Sequence, residues 1–352
     1  MNKHTQRLCA ARPEDIAVAA ALLRRGGLVA IPTETVYGLA ANAFDPQAVA
    51  AVFAAKGRPQ DNPLIVHVPC AGDAHVLTRR FSARASALAA QFWPGPLTLI
   101  LPKSEKVPDA VSAGLDTVAL RVPAHPGALA LLLACGCPLA APSANRSGSP
   151  SPTTARHVLE DLDGRIDAVL DAGPCRVGVE STVLSLVAKT PCLLRPGAVT
   201  LEQLRQALGE VTVAPSLLQA LGEGEVAASP GMKYRHYAPK AALTLLEGAS
   251  AQFAAYVAAH ALEGDGALCF EEDLPALECA LEPEQRRFPV LCCGAATDAE
   301  AQARQLFARL RELDSLGLRR VFVRCPAKEG VGLAVFNRLL RAAAFRLIEL
   351  EG

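Results

Sequence analysis

The chain has 352 residues, of which 51% are hydrophobic and 20% charged, with 35 Lys and Arg against 35 Asp and Glu. That composition supplies ample core for about two globular domains and excludes a disordered chain. A formal net charge of zero removes the global field that drives non-specific nucleic-acid binding, and leaves only a local basic patch open.

In chain order, "GLVAIP" predicts a strand ending at Pro32, and "DPQAVAAVFAAKG" a helix with complete punctuation. Asp45 can cap it, Pro46 suits its first turn and Gly57 its stop. There follow a strand in "LIVHV", a helix in "SARASALAAQFW", strands in "PLTLIL" and "TVALRVP", and a helix in "HPGALALLLACG". "PLAAPSAN" is a strand running into a loop, "TTARHVLEDLDG" a helix, "AVLDAG", "STVLSLV" and "CLLRPG" strands, and "TLEQLRQALG" a closing helix. Interleaved helices and strands predict an α/β architecture, and strands that succeed one another without a helix predict a mixed sheet. The stretch 210–240 is less periodic and holds "SPGMKYRHYAPK". After it come "ALTLLE", "GALCF", "FPVLCC" and "RRVFVRC" as strands. Between and after them lie helices in "SAQFAAYVAAHALEG", "DAEAQARQLFARLRELDSLG" and "GLAVFNRLLRAAAFRL". This predicts a smaller, doubly wound, Rossmann-like α/β domain. The division is 1–209, a linker over 210–240, and 241–352.

The 11 cysteines are an odd number without a CxxC pair. They read as buried free thiols in a reducing compartment rather than zinc ligands or disulfides. The first residues carry no apolar signal core, and no apolar run is long enough to cross a bilayer unbroken. The expectation is a soluble cytoplasmic protein without membrane contact.

No GxxxxGK[ST], strand-linked GxGxxG, HExxH or GxSxG opens the first domain. Polar groups gather instead at strand ends, where α/β folds place their sites. Thr33, Glu34 and Thr35 follow the first predicted strand, as a site or as a capped turn. Lys56 and Arg58 close a helix, either as dipole partners or as an anion clamp, with Asn62 and His67 beyond them. Arg121 lies inside an apolar strand and needs a carboxylate or phosphate, either an internal Asp or Glu or a ligand. "APSANRSGSPSPTT" clusters Ser143, Asn145, Ser147, Gly148, Ser149 and Ser151, whose small side chains let backbone N–H groups approach an anion. Glu180, Ser181 and Thr182 start a strand, and Arg195 ends one. Dispersed hydroxyls and cations without a general-base dyad suit positioning and charge neutralisation of a nucleoside triphosphate.

"PTETVYGLA", "KGRPQDNPLIVHV", "WPGPLTLIL", "VALRVPAHP", "APSANRSG", "ESTVLSL" and "LRPGAVT" occur in the order found in YrdC-like domains. With "SPGMKYRHYAPK" and a small α/β domain after them, the chain resembles the long, two-domain threonylcarbamoyl-AMP synthase family, over nearly its whole length. The resemblance implies a YrdC-like twisted mixed sheet with helices, joined by an ordered linker to the Rossmann-like domain. It implies that L-threonine, bicarbonate and ATP give threonylcarbamoyl-AMP and pyrophosphate, and that a tRNA-modifying transferase complex receives the product. Mg2+ is expected with ATP, held by phosphates and waters. Carried onto matching positions, Thr35, His67, Arg121, Ala141 and Ser181 hold threonine. Lys56, Arg58, Asn62, Thr117, Ser143, Asn145, Ser151, Arg195 and Tyr234 hold ATP. Lys56 and Arg58 are the catalytic pair, and the linker forms a flap with Tyr234 nearest the nucleotide. Two other readings stay open: an RNA-binding module with direct RNA contact and no ATP chemistry, and a carbamoyl-transfer enzyme. The latter lacks here the acylphosphatase and zinc-finger-like regions of the hydrogenase-maturation proteins.

Overall fold

A computed structural model describes residues 4–219, 237–281 and 288–351. These divide into two compact units, one of residues up to 147 with 151–219, the other of 148–150 with 237–351.

The first unit is built on an 11-stranded sheet among the described residues. Its spatial order is Gln6–Cys9, Ala168–Asp171, Val29–Ile31, Gly38–Asn42, Leu139–Ala140, Ile65–His67, Thr117–Arg121, Leu97–Pro102, Thr182–Ser185, Cys192–Arg195 and Thr212–Val213. Parallel and antiparallel neighbours alternate irregularly, so the sheet is mixed. Side chains along a strand alternate between faces, and here the two faces differ in kind. Leu64, Val66 and Val68, Val118, Leu120 and Val122, and Leu97, Leu99 and Leu101 share a core with Phe53, Leu88 and Leu204 of the covering helices. Each such fully buried chain is worth about 1.5–3 kcal/mol of transfer free energy. The intervening residues leave only a short apolar strip, Ile65, Ile100, Ala119 and Val183, on the other face. Polar His67, Thr98, Thr117, Arg121 and Ser181 flank that strip along the same strands by the same alternation.

The helix Pro46–Lys56 forms as its sequence predicts. The Asp45 carboxylate accepts from the Gln47 and Ala48 N–H groups, and Gly57 ends it in the left-handed conformation, φ 63°. Several elements escape the sequence reading, Gln6–Cys9, Ala71–Val76 and Leu274–Ala280 among them, and two of the others show why. The helix Pro13–Arg24 begins at Arg12, which makes no side-chain capping bond. The strand Gly38–Asn42 is made of Gly, Leu, Ala and Asn, residues of mostly low strand propensity. Pairing with strands on both sides holds it in the sheet.

Among the described residues, the second unit is built on a five-stranded, all-parallel sheet in the order Val290–Cys292, Asp265–Cys269, Arg320–Arg324, Ala242–Glu247, Leu347–Glu349. The helices Ser250–His260 and Leu274–Ala280 pack against each other, and so do Ala299–Ser315 and Gly332–Ala342. Phe253, Val257 and Leu277 pack against Leu246, Ala267 and Phe322 of the sheet. The helix expected over 332–347 stops at Ala342. Ala344 and Phe345 take positive φ, 51° and 63°. The chain then turns into an edge strand that pairs with Leu245–Glu247. No glycine or proline marks that turn, so the sequence carries no stop signal there. No helix among the described residues is long and apolar enough to cross a membrane.

Candidate active site

The polar face of the first sheet is organised around two neighbouring strands. Ile65–His67 and Thr117–Arg121 run parallel, and their register sets His67 beside Arg121. On the other flank of His67 the Ala141 N–H donates to the Ile65 carbonyl at 2.9 Å, so His67, Arg121 and Ala141 come together through sheet pairing alone.

Arg121 is 3% exposed. Its Nη2 donates to Glu34 Oε1 at 2.6 Å, Nη1 to Thr35 Oγ1 at 2.9 Å and Nε to the Gly95 carbonyl at 3.2 Å. The internal carboxylate that the sequence left open is therefore Glu34. Thr35 is held by a tight turn in which Thr33 Oγ1 accepts from the Thr35 and Val36 N–H groups at 3.1 and 3.2 Å. Ser181 joins by a second route. Its hydroxyl lies 2.7 Å from that of Thr98 and accepts from Arg195 Nη2 at 3.1 Å, and its carbonyl accepts from Arg195 Nε at 3.0 Å. Arg195, expected at the ATP site, thus also braces Ser181.

A second cluster begins two residues beyond Ala141. The Lys56 ammonium donates to the carbonyls of Ser143 and of Asn145, the latter at 2.6 Å, and to Asn145 Oδ1 at 3.4 Å. Ser143 Oγ donates to Asn145 Oδ1 at 2.5 Å, and the Ser147 N–H donates to the Lys56 carbonyl at 2.9 Å. Lys56, Ser143 and Asn145 are thereby one constellation, tied by a buried cation. Burial and then the neighbouring Arg58 charge hold the Lys56 pKa well below its ordinary value. Arg58 donates to the Asn62 and Pro63 carbonyls at 3.3 and 3.4 Å and lies over the Phe53 ring at 5.8 Å. Ser151 Oγ donates to Glu180 Oε1, which connects the loop after Asn145 to the residue preceding Ser181. Thr117 lies on the same face as Arg121, at the opposite end of its strand and opposite Pro102. Tyr234 lies outside the described residues.

Two buried side chains stand out by what they lack. Neither Oδ1 nor Nδ2 of Asn62, fully buried, has a hydrogen-bond partner among the described residues, and neither does Nδ1 of His67. Buried polar atoms are nearly always paired, so these atoms are open to a ligand. Burial first, and then the Arg121 charge, push the His67 pKa from 6.5 down to about 3, so its imidazole is neutral. Thr98 is a site residue that the sequence reading passed over. Its signal was a lone hydroxyl among Leu and Ile in "LTLIL", on the face opposite the leucines. Among the described residues no group of three or more His, Cys, Asp or Glu could hold a metal ion.

Comparison with known proteins covers both units. The profile of the Sua5/YciO/YrdC family, described as telomere recombination, matches residues 21–197. The profile of the threonylcarbamoyl-AMP synthase C-terminal domain matches residues 199–344. The threonylcarbamoyl-AMP synthase of Pyrococcus abyssi is 43% identical over 345 residues, 95% of this chain and 96% of that one. That of Bacillus subtilis is 45% identical over 336 residues, 95% of this chain and 94% of that one. A crystal structure of P. abyssi Sua5 in complex with L-threonine superposes with a TM-score of 0.88 at 42% identity, over 99% of each chain.

Proposed function

The chain belongs to the threonylcarbamoyl-AMP synthase family in its two-domain form, and on that premise we propose that it makes L-threonylcarbamoyl-AMP from L-threonine, bicarbonate and ATP. The amine of threonine takes up the carbon of bicarbonate with loss of water. The resulting carboxylate attacks the α-phosphate of ATP, and pyrophosphate leaves. The product feeds threonylcarbamoyladenosine modification of tRNA next to the anticodon, carried out by a transferase complex in the cytoplasm.

The observation that carries this reading is the junction of two clusters in the segment from Ala141 to Asn145. One is a carboxylate-and-hydroxyl site of Thr35, His67, Arg121, Ala141 and Ser181. The other is an anion site of Lys56, Ser143 and Asn145 that begins two residues beyond Ala141. Three of the five guanidinium N–H groups of Arg121 are used within the described protein, which leaves one on each terminal nitrogen for a substrate carboxylate. Neutral His67 offers the unpartnered Nδ1 to the same substrate. Asn62 and Thr117 contact the nucleotide, and so do Ser151 and Arg195. Tyr234, outside the described residues, completes the nucleotide contacts.

Lys56 has its N–H groups directed at three oxygens of the 143–145 loop, so it shapes that loop while setting a positive charge beneath it. A polyanion arriving beside a desolvated ammonium favours its charged form. The charge that builds on the departing pyrophosphate is met by Lys56 and Arg58, the main electrostatic need of an in-line displacement at phosphorus. Mg2+ fits as an ion carried by the phosphates and waters of ATP, since the described residues build no cage for it. When bound it neutralises charge between the phosphates.

The test is pyrophosphate release by the full chain. Release should require threonine and bicarbonate together, and Lys56→Ala and Arg58→Ala should each lower it on the order of a hundredfold. Release indifferent to threonine would overturn the assignment.

A further inference from the structure

We propose that Glu34 is a positioning residue of the threonine subsite, whose carboxylate sets the plane of the Arg121 guanidinium and joins the three segments that carry threonine-binding groups. This deepens the proposed function and rests on it.

Glu34 is 3% exposed, and both of its oxygens are engaged. Oε1 accepts from Arg121 Nη2 at 2.6 Å, and Oε2 accepts from the Ala124 N–H, in the loop just beyond Arg121, at 3.0 Å. The backbone continues the junction. The Glu34 carbonyl accepts from the Val177 N–H at 2.8 Å and the Thr35 carbonyl from the Gly178 N–H at 3.1 Å. Residues 177 and 178 lead directly into Glu180 and Ser181. One residue thus holds the turn of Thr35, the end of the strand of Arg121 and the approach to Ser181.

The geometry has a chemical consequence. A guanidinium is planar, and three bonds, to Glu34, Thr35 and the Gly95 carbonyl, fix the orientation of that plane. The two N–H groups left over, one on each terminal nitrogen, are then held in fixed directions for a substrate carboxylate. A buried ion pair contributes little net stability compared with an apolar pair of the same size. Its function here is orientation, so its loss is read in threonine affinity before it is read in the nucleotide.

The experiment is steady-state pyrophosphate release by the full chain, with KM measured separately for threonine and ATP, and the melting temperature recorded alongside. Glu34→Gln is expected to raise the threonine KM about tenfold or more while the ATP KM stays within about twofold. Glu34→Asp keeps the charge, but its shorter arm cannot span Arg121 and Ala124 together, and it should fall between the two. If Glu34→Gln does not fold, Ala124→Pro removes the N–H that Oε2 accepts, while also fixing φ at position 124; with the melting temperature held, it should raise the threonine KM about threefold with the ATP KM unmoved. Equal rises in both KM values with a lowered melting temperature would make Glu34 a scaffold residue and overturn the proposal. An unchanged threonine KM would overturn it as well. A wild-type chain without threonine-dependent release would sink the functional reading itself, an outcome distinct from either.

Discussion

Asn62 carries a fully buried carboxamide with neither end bonded among the described residues. An unsatisfied buried amide costs the free protein about 1–3 kcal/mol, and an apolar group of the same shape removes that cost. Asn62→Leu should therefore leave the melting temperature of the ligand-free protein equal or higher, while ATP affinity by calorimetry falls about tenfold or more. A lowered melting temperature with ATP affinity intact would mean that the amide serves the fold. His67 makes a second residue-level prediction. Its pKa is depressed from 6.5 to about 3 in the folded chain. Between those values the unfolded chain binds a proton that the folded chain refuses. Stability is then fully present above pH 6.5 and is lost as pH falls toward 3, by at most about 1.4 kcal/mol per pH unit. His67→Asn should flatten that acid limb in melting curves taken from pH 7 to pH 4.

At the scale of elements, the helix Pro46–Lys56 delivers Lys56 to the proposed anion site through its ending. Gly57 has φ 63° and no atom within 4 Å of where a side chain would start. Gly57→Ala meets no steric block, so its cost is the left-handed backbone alone, about 1–2 kcal/mol. A melting temperature lowered by about 3 °C per kcal/mol is expected. That helix was legible because Asp45, Pro46 and Gly57 each declare a boundary chemically. The strands of the polar face were legible too, since runs such as "LIVHV" and "TVALRVP" have no other use. What stayed hidden depends on partners distant in sequence. The strand Gly38–Asn42 exists through its two neighbours. The reversal at Ala344 and Phe345 delivers an edge strand that only pairing with Ala242–Glu247 explains. At the site, the sequence marked Arg121 as needing an anion and noted Glu34, but 87 residues separate the pair and only the fold could join them. The coupling of Lys56 to Ser143 and Asn145, across 87 and 89 residues, was equally out of reach of local pattern.

For the whole molecule, all cysteines are free. Burial drives the thiol pKa values of Cys135, Cys175 and Cys293 up to about 12, which keeps them as unreactive thiols at neutral pH. Cys70 and Cys279 are the exposed ones. Alkylation of the native protein followed by mass spectrometry should modify those two first, and the buried thiols only after denaturant is added. Early modification of Cys175 or Cys293 would show that the packing around them opens readily. The two-faced strands carry a different consequence, for heredity rather than chemistry. Along Thr117–Arg121, Val118 and Leu120 serve the core while Thr117, Ala119 and Arg121 serve the polar face. Neighbouring codons therefore answer to separate selective pressures, one for how much protein survives in the cell and one for what the surviving protein does. The gene can accumulate change in its polar face while its abundance is protected, and a single strand can record two evolutionary histories on alternate residues.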